Sequence, residues 1–195
     1  GANNTAMGLT ALMNNTTGSY NTAVGSLALN LNSTGGYNAA MGADALRANS
    51  TGASNTAVGV SALGANSTGN GNTATGFEAL KANTTASYNT AMGIWALTTN
   101  STGGNNTAMG TQALWTNTTG GSNTATGTEA LKRNTGGNDN TALGRQARYK
   151  NTSGSGNLAM GVGAGINQTV GSNNMYLSHP GVEREAGTIR IGTPG

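Results

Sequence analysis

An asparagine recurs every seventeen residues along this chain, with no insertion or deletion between its copies. Around each copy the sequence keeps a unit close to Asn-Thr-Ala-(Met/Val/Thr)-Gly-x-x-Ala-Leu-x-x-Asn-(Ser/Thr)-Thr-Gly-x-x. A fixed period predicts that each unit is one structural step stacked on the last. Seventeen residues are too few for the helix pairs of helical repeats, which need about 33 to 47 residues, and suit one coil of an all-β solenoid. The copies are Asn4, Asn21, Asn38, Asn55, Asn72, Asn89, Asn106, Asn123, Asn140, Asn157 and Asn174.

The composition by itself would suggest a disordered chain, because it includes 33 Gly and only 8% charged residues. The strict register overturns that interpretation, since a disordered linker has no reason to keep a period. The chain has no Cys, which excludes a disulfide framework and fits an exported bacterial protein. Residues 1–3 already match the last three positions of a repeat, so we expect a fragment of a longer protein.

We number positions 1 to 17 from the Asn that opens each unit. Positions 3 and 8 are Ala and position 5 is Gly in the first ten units, while position 4 is mostly Met or Val and position 9 is Leu in eight units. Positions 2 to 5 alternate in size, which predicts a short strand with Thr and Met on one face and Ala and Gly on the other. A second extended segment is predicted at positions 7 to 10, and the Asn-(Ser/Thr)-Thr-Gly segment is typical of a turn.

The Asn residues at positions 1 and 12 predict two ladders of side-chain amides that bond from coil to coil. Glycosylation is the functional alternative, since Asn15 and many equivalents are followed by the required Ser or Thr; the structural period favours the ladder. Position 5 predicts a close approach of backbones. The predicted structural ladders are Asn21, Asn38, Asn55, Asn72, Asn89, Asn106 and Asn123, with Gly25, Gly42, Gly59, Gly93 and Gly110.

The apolar content of one coil is small: two Ala, one Leu and one Met or Val. That is a thin core against a backbone entropy of about 1 to 2 kcal/mol per residue. An Ala/Gly face repeated along the array is also a surface that another backbone can approach closely. We therefore expect several identical rods to pack together, with a closed ring of three favoured.

The core of the repeat resembles the head domains of trimeric autotransporter adhesins, the YadA-like heads. Residues 21–25 (Asn-Thr-Ala-Val-Gly) and 89–93 (Asn-Thr-Ala-Met-Gly) show the likeness, which covers about residues 1–174. The resemblance implies a left-handed parallel β-roll assembled as a homotrimer. The unit of 17 residues is longer than in the best-known heads, which implies an enlarged outer loop. Similar repeats occur in phage tail fibres.

The sequence contains few residues that could support catalysis, metal binding or phosphate binding. His179 is the one histidine, no Walker-type loop is present, and two Asp in all cannot supply a calcium ligand to every coil. We expect no enzyme activity, no cofactor, no metal site and no nucleic-acid partner. Three acid–base pairs at positions 7 and 10 are expected to face outward: Asp44/Arg47, Glu78/Lys81 and Glu129/Lys132.

Basic residues concentrate in two successive repeats, where Asp139 is the only acid between them. Arg133 and Lys150 share position 11, so they should lie one above the other, although neighbouring like charges are destabilising. Two interpretations remain open: a collar that contacts anions or acidic glycans, and a solvated collar on a chain whose net charge is only +3. The members are Lys132, Arg133, Arg145, Arg148 and Lys150.

Aromatic residues recur in register as well. Tyr20, Tyr37 and Tyr88 occupy position 17, and Tyr20 and Tyr37 should stack, being one coil apart. Trp95 and Trp115 occupy positions 7 and 10. Packing at a protomer boundary is favoured for these rings over stacking on sugars.

The sequence therefore predicts a β-roll head over 1–173 and an atypical cap or start of a stalk over 174–195, with a strand near residues 188–192. The predicted function is a bacterial cell-surface adhesin head that binds host matrix protein or surface glycan. It would lie outside the outer membrane and be held by a C-terminal anchor absent from this fragment. The alternatives are the shaft of a phage-like tail fibre and an ice-binding solenoid, since Thr recurs in columns that include Thr5 and Thr17.

Overall fold

Each repeat folds as one coil and contributes one strand of three residues at positions 2 to 4. The computed structural model describes residues 1–192, within which twelve strands form a single parallel sheet in sequence order. The predicted all-β parallel solenoid of 17-residue coils is confirmed. The strands are β1 Thr5–Met7, β2 Thr22–Val24, β3 Ala39–Met41, β4 Thr56–Val58, β5 Thr73–Thr75, β6 Thr90–Met92, β7 Thr107–Met109, β8 Thr124–Thr126, β9 Thr141–Leu143, β10 Leu158–Met160, β11 Met175–Leu177 and β12 Ile189–Ile191.

The prediction of a second strand in each coil is wrong for the described part of the chain. Positions 6 to 11 form turns, in which positions 7 and 9 take the left-handed conformation, as at Asp44 (φ 57°) and Leu46 (φ 49°). The backbone still bonds between coils there. The Asp44 N–H donates back to Ser26 O at 2.9 Å, and the Leu46 N–H donates forward to Ala62 O at 3.0 Å. These bonds offset a conformational cost of about 1–2 kcal/mol per left-handed residue.

The core is a thin column of alanine and leucine that runs inside the solenoid. In coil 4, which begins at Asn55, the side chains of Ala57, Ala62 and Leu63 are fully buried. The same three positions are fully buried from coil 2 to coil 8. The Met, Val or Thr at position 4 points to the other face of the sheet, where Met41 and Met92 are exposed.

The expected packing of neighbouring rods on an Ala/Gly face needs correction. Both alanine columns lie inside the coil, and the position-5 glycines pack against the next coil of the same chain. A Cβ at Gly42 would lie 2.6 Å from Gly59 O. The close backbone approach that the sequence indicates is therefore between successive coils of the same chain.

The two asparagine columns bond the coils together from inside. At position 12, Asn66 Nδ2 donates to Asn49 Oδ1 at 2.8 Å, and Asn66 Oδ1 accepts from Asn83 Nδ2 at 2.8 Å. At position 1, Asn21 Oδ1 accepts from the Asn38 N–H at 3.0 Å. Side chains so buried and bonded are unavailable for glycosylation, because the Nδ2 atom that would carry the sugar lies inside the coil.

The C-terminal region continues the sheet with a shorter last coil. Met175 of β11 pairs with Ile189 of β12, fourteen residues on instead of seventeen. The strand expected near residues 188–192 is present as β12. The Asn174 Nδ2 donates to Glu185 O at 2.9 Å. Residues 193–195 of the predicted cap lie outside the described residues.

Replacing Gly93 by Val tests the close approach of coils. Gly93 has φ +135°, and its added Cβ would lie 2.7 Å from the carbonyl carbon and oxygen of Gly110. Backbone strain of about 1–3 kcal/mol adds to that clash, so we expect loss of folding or a large fall in melting temperature. Gly104→Ser is the control, because Ser19 and Ser87 occupy the same position in other coils. A Gly93→Val protein that melts within about two degrees of the parent would contradict the assignment.

Replacing Asn66 by Leu tests the position-12 ladder. The change leaves Asn49 Oδ1 without its donor and Asn83 Nδ2 without its ladder acceptor. A buried polar group left unpaired costs about 1–3 kcal/mol, so we expect destabilisation of roughly 2–4 kcal/mol in chemical denaturation. The exposed Asn70→Ala is the comparison and should change stability by less than about 1 kcal/mol. Equal effects of the two changes would argue against the ladder.

Candidate functional site

Five of the nine Lys and Arg residues of the chain lie in coils 8 and 9, which span residues 123–156. The structure separates the five predicted collar residues into three groups. Arg148 is buried, Lys132 is ion-paired, and Arg133, Arg145 and Lys150 are exposed. The collar as predicted therefore does not form as one surface.

Arg148 is fully buried and does not contact solvent, which corrects its assignment as an anion contact. It stands where Leu fills the core of earlier coils. Its Nη2 donates to Asn151 Oδ1 at 2.6 Å and to Gly171 O at 3.1 Å. Position 12 of the next coil is Gln168, so no Asn amide reaches Asn151 from that side. The Arg148 guanidinium thus supplies Asn151 Oδ1 with the hydrogen-bond donor that the Asn amide of the next coil supplies elsewhere in the ladder.

Two further exceptions to the repeat surround this guanidinium: a glycine that leaves space for it and a tyrosine that packs beside it. Position 9 of coil 10 is Gly165, and position 3 of coil 11 is Tyr176, which is fully buried. A Cβ at Gly165 would lie 2.8 Å from both Arg148 Cδ and Tyr176 Cδ2. The Arg148 Cζ lies 6.0 Å from the Tyr176 ring centroid. Burial lowers the pKa of Arg148 to about 10, and its Nε and Nη1 have no partner.

Lys132 lies between two aromatic rings instead of facing outward. Its Nζ is 5.0 Å from the Trp115 centroid and 5.6 Å from the Tyr149 centroid, and it donates to Glu129 Oε1 at 2.6 Å. Hydrogen bonds from Lys132 and then from Gln146 lower the pKa of Glu129. The positive charge of Lys132 is therefore neutralised and largely buried, and Trp115 packs within its own chain.

Arg133, Arg145 and Lys150 are exposed, and no carboxylate of residues 1–192 lies within 4.0 Å of their charged nitrogens. Arg133 and Lys150 occupy position 11 of successive coils. The Arg133 guanidinium lies over the Tyr149 ring, with its Cζ 5.3 Å from the centroid. Arg145 belongs to position 6, on a different part of the coil.

The other charged side chains of residues 1–192, apart from Asp139, form pairs. Arg47 lies 3.5 Å from Asp44 and Lys81 lies 2.7 Å from Glu78, as the repeat positions predict. In the last coil, Arg190 Nη2 lies 2.7 Å from Glu185 Oε2. Burial by itself raises the pKa of Glu185, but hydrogen bonds, first that from Arg190, outweigh it and lower the pKa to about 2.

Two of the tyrosines at position 17 stack as predicted. The rings of Tyr20 and Tyr37 lie 5.0 Å apart between centroids with an interplanar angle of 9°, and both remain exposed in the single chain. Trp95 packs edge-on against Phe77, 6.1 Å between centroids. His179 Nδ1 accepts from the Gly181 N–H at 2.8 Å, which gives this histidine a structural partner in the last turn.

Tyr176 and Gln168 are the contributors that sequence reasoning missed. Each breaks the repeat at a position that is otherwise nearly constant, as Gly165 and Arg148 do. Four exceptions within three successive coils, three to larger side chains and one to glycine, were the available signal. They compensate each other in volume and in hydrogen bonding.

Within residues 1–192 no cluster of three or more His, Asp or Glu is placed to hold a metal ion. The same residues include no helix of the length and hydropathy needed to cross a membrane. Comparison with protein-family models, with curated proteins and with solved structures finds no match to this chain.

Replacing Arg148 by Met tests the structural role of the buried guanidinium. The change removes a desolvated charge and two unpaired nitrogens but leaves Asn151 Oδ1 without its donor. The desolvation of a buried charge costs several kcal/mol, and an unpaired buried oxygen costs about 1–3 kcal/mol, so the gain and the loss should roughly offset each other. We therefore expect unfolding free energy within about 1 kcal/mol of the parent or higher, measured by chemical denaturation.

The control for this variant is Arg148→Ala, which removes the same contacts and leaves a cavity. A cavity of this kind costs about 2–5 kcal/mol, so the Ala variant should be clearly less stable. If the Met variant falls as far as the Ala variant, the hydrogen bond to Asn151 matters more than the buried charge, and the expectation is wrong.

Proposed function

We propose that this chain is the rod-like head of a trimeric cell-surface adhesin, wound as a left-handed β-roll. The observation that carries the proposal is an apolar column on the outer face of the sheet. It consists of the side chains at position 4, which point away from the core of their own coil. Its exposed members are Met7, Met41, Val58, Met92, Met109, Leu143, Met160 and Leu177.

Position 6 adds further apolar side chains beside this column. Leu9, Val60, Phe77, Ile94 and Val162 are exposed there. We call positions 4 and 6 together the assembly strip. It runs from coil 1 to coil 11, is interrupted at coil 8, where Thr126 and Thr128 occupy the two positions, and includes Arg145 at position 6 of coil 9. Soluble monomers rarely expose an apolar surface of that extent. The fitting occupant is another copy of the chain, because only an identical rod repeats its own side chains with the same period.

A ring of three rods would bury the three strips along a common axis. Closed cyclic symmetry is the usual outcome of identical subunits that pack through heterologous contacts. Burial of a Met or Val side chain removes about 1.5–3 kcal/mol of unfavourable exposure per fully buried residue. Assembly in this way would supply the apolar burial that the thin core of a single rod lacks.

The attachment role follows from the repetition of the outer surface. A stiff stack presents nearly equivalent turns at each coil, so a surface of many weak contacts gains strength through multivalency. Host matrix protein or surface glycan is the proposed partner. The shaft of a phage-like fibre shares the same trimeric rod and differs in having its recognition element elsewhere in the protein.

One observation keeps the ice-binding alternative open to experiment. The threonines at position 2, such as Thr22 and Thr56, are exposed on the same face of the sheet as the position-4 column. A trimer that buries this face would remove most of those threonines from contact with ice. The oligomeric state therefore separates the two functions, and thermal hysteresis of the purified protein tests the second directly.

Attachment can be tested with beads that display the protein. We expect them to adhere to cultured epithelial cells or to surfaces coated with extracellular matrix proteins, more than beads carrying an unrelated rod of similar size. Adhesion should rise steeply with the density of protein on the bead, because multivalent contacts strengthen one another. Adhesion that never exceeds the unrelated rod, on any of these surfaces, would contradict the adhesin assignment.

Light scattering tests the trimer and the assembly strip. The parent should have about three times the 19.2 kDa mass of the chain. Changing Met92 and Met109 together to Asp places charges on the strip, and we expect a monomer that keeps its β circular dichroism, since both positions are exposed in the single chain.

The matched control changes Met13 and Leu31 to Asp, because both are exposed apolar residues at positions 10 and 11, outside the strip. This control should remain trimeric. A parent that is a stable monomer with full β signal would overturn the trimer, and a control that dissociates as readily as the strip variant would place the contact elsewhere.

A further inference from the structure

We infer that Arg133 and Lys150 form a binding site for an acidic polysaccharide on the turn side of coils 8 and 9. The inference rests on the proposed attachment function and names the ligand class of one patch on that surface. Arg145 is excluded because it lies at position 6, on the assembly strip. Arg148 and Lys132 are excluded because one is buried and the other is neutralised.

The distribution of unpaired charge supports the site. Five of the nine Lys and Arg side chains lie within 4.0 Å of a carboxylate of residues 1–192. Among the six Asp and Glu side chains, only Asp139 has no Lys or Arg of these residues within that distance. The four Lys and Arg without a carboxylate partner, less the one unpaired carboxylate, give an excess of three positive charges. This excess equals the formal net charge of the chain. All of that excess lies in residues 123–156.

The geometry holds the two exposed cations in place. Arg133 and Lys150 occupy equivalent positions one coil apart, a backbone spacing of about 4.8 Å. The Arg133 guanidinium is held over the Tyr149 ring at 5.3 Å, so less side-chain freedom is lost on binding. Its edge remains free for two parallel hydrogen bonds to a sulfate or carboxylate. Two like charges kept as neighbours cost stability, which an anion bound between them would relieve.

A groove continues from Lys150 toward the last coil and favours a sugar chain. It has a volume of about 460 Å³, and its lining includes Asn167, Thr169 and Glu183. The amide, the hydroxyl and the carboxylate can each bond sugar hydroxyls. The Glu183 carboxylate repels a strand that carries a phosphate on every residue. The patch therefore fits a chain with spaced anionic groups and free hydroxyls better than it fits a nucleic acid.

The test measures binding of the 195-residue protein to immobilised heparin, with chemically desulfated heparin, which keeps its carboxylates, as the comparison of lower charge. Changing Arg133 and Lys150 together to Ser should weaken binding about tenfold, the equivalent of about 1.4 kcal/mol, and leave the melting temperature equal or higher. Raising the salt concentration should weaken binding of the parent, since exposed charges are screened beyond about 8 Å at physiological ionic strength. Arg133→Lys should show an intermediate loss.

The matched control changes Arg47 and Lys81 to Ser, which removes the same charge from residues that are ion-paired in the structure. This control should keep at least half of the parent's affinity, whereas an equal loss would show that binding follows net charge and would overturn the site. Competition by single-stranded DNA that matches or exceeds heparin at equal charge would overturn the polysaccharide assignment. A melting temperature that falls in the Arg133/Lys150 variant would contradict the like-charge argument and count against the site.

The two proposals fail separately. Parent protein that binds heparin through Arg133 and Lys150, but does not attach to any cell or matrix surface, would refute the adhesin and leave the site. Attachment that persists with no heparin binding by the parent would refute the site and leave the adhesin.

Discussion

Hydrogen bonding between successive coils, which are stacked with a constant period of seventeen residues, is the constraint on which the structure depends. Some backbone N–H groups donate to the next coil and others to the preceding coil. The Thr56 N–H donates forward to Asn72 O, and the Gly59 N–H donates back to Met41 O, both at 2.8 Å. Each coil is therefore bonded to both of its neighbours. The asparagine columns add side-chain bonds within the same stack. A residue inserted into one coil would have to bulge out of the bonded circumference or break bonds of that coil to its neighbours. The period is unchanged from Asn4 to Asn174.

This dependence on polar bonding explains how so small an apolar core can suffice. Two alanines and one leucine in each coil fill the space that a 17-residue loop can enclose, and larger apolar residues are left outside on the sheet. The outer Met and Val column is then available for contacts between copies. Threonines, tyrosines and most charged residues also lie outside this small core. Their identity can therefore vary from coil to coil without disturbing the stack.

Coils 9 to 11 show what happens when one element of the repeat is lost. Gln168 interrupts the asparagine ladder, and Arg148 supplies the missing donor from the core position that leucine normally fills. Gly165 and Tyr176 make the compensating changes in volume. The last coil is three residues shorter and ends the regular array. The unpaired positive charge of the chain lies next to this region, so the one irregular part of the rod is also the part whose surface differs most from the rest.

The period, the parallel register, the asparagine spacing and the Tyr20–Tyr37 stack could be predicted from the sequence, because each follows from the repetition of identical residues at equal distances. The inward position of both alanine columns differs from the expected packing between rods. Much of the candidate site could not. Leu46 and Asp44 carry no local sign of a left-handed backbone, since their own preferences oppose it and only bonds to the next coil stabilise it. The sequence by itself suggests that Arg148 is a surface charge. Its burial depends on Gly165, Gln168 and Tyr176, which lie near it only once the coils are stacked. The sequence by itself determined which residues align, and the tertiary structure decided which of them face inward, because solvent exposure depends on the volume that each coil encloses.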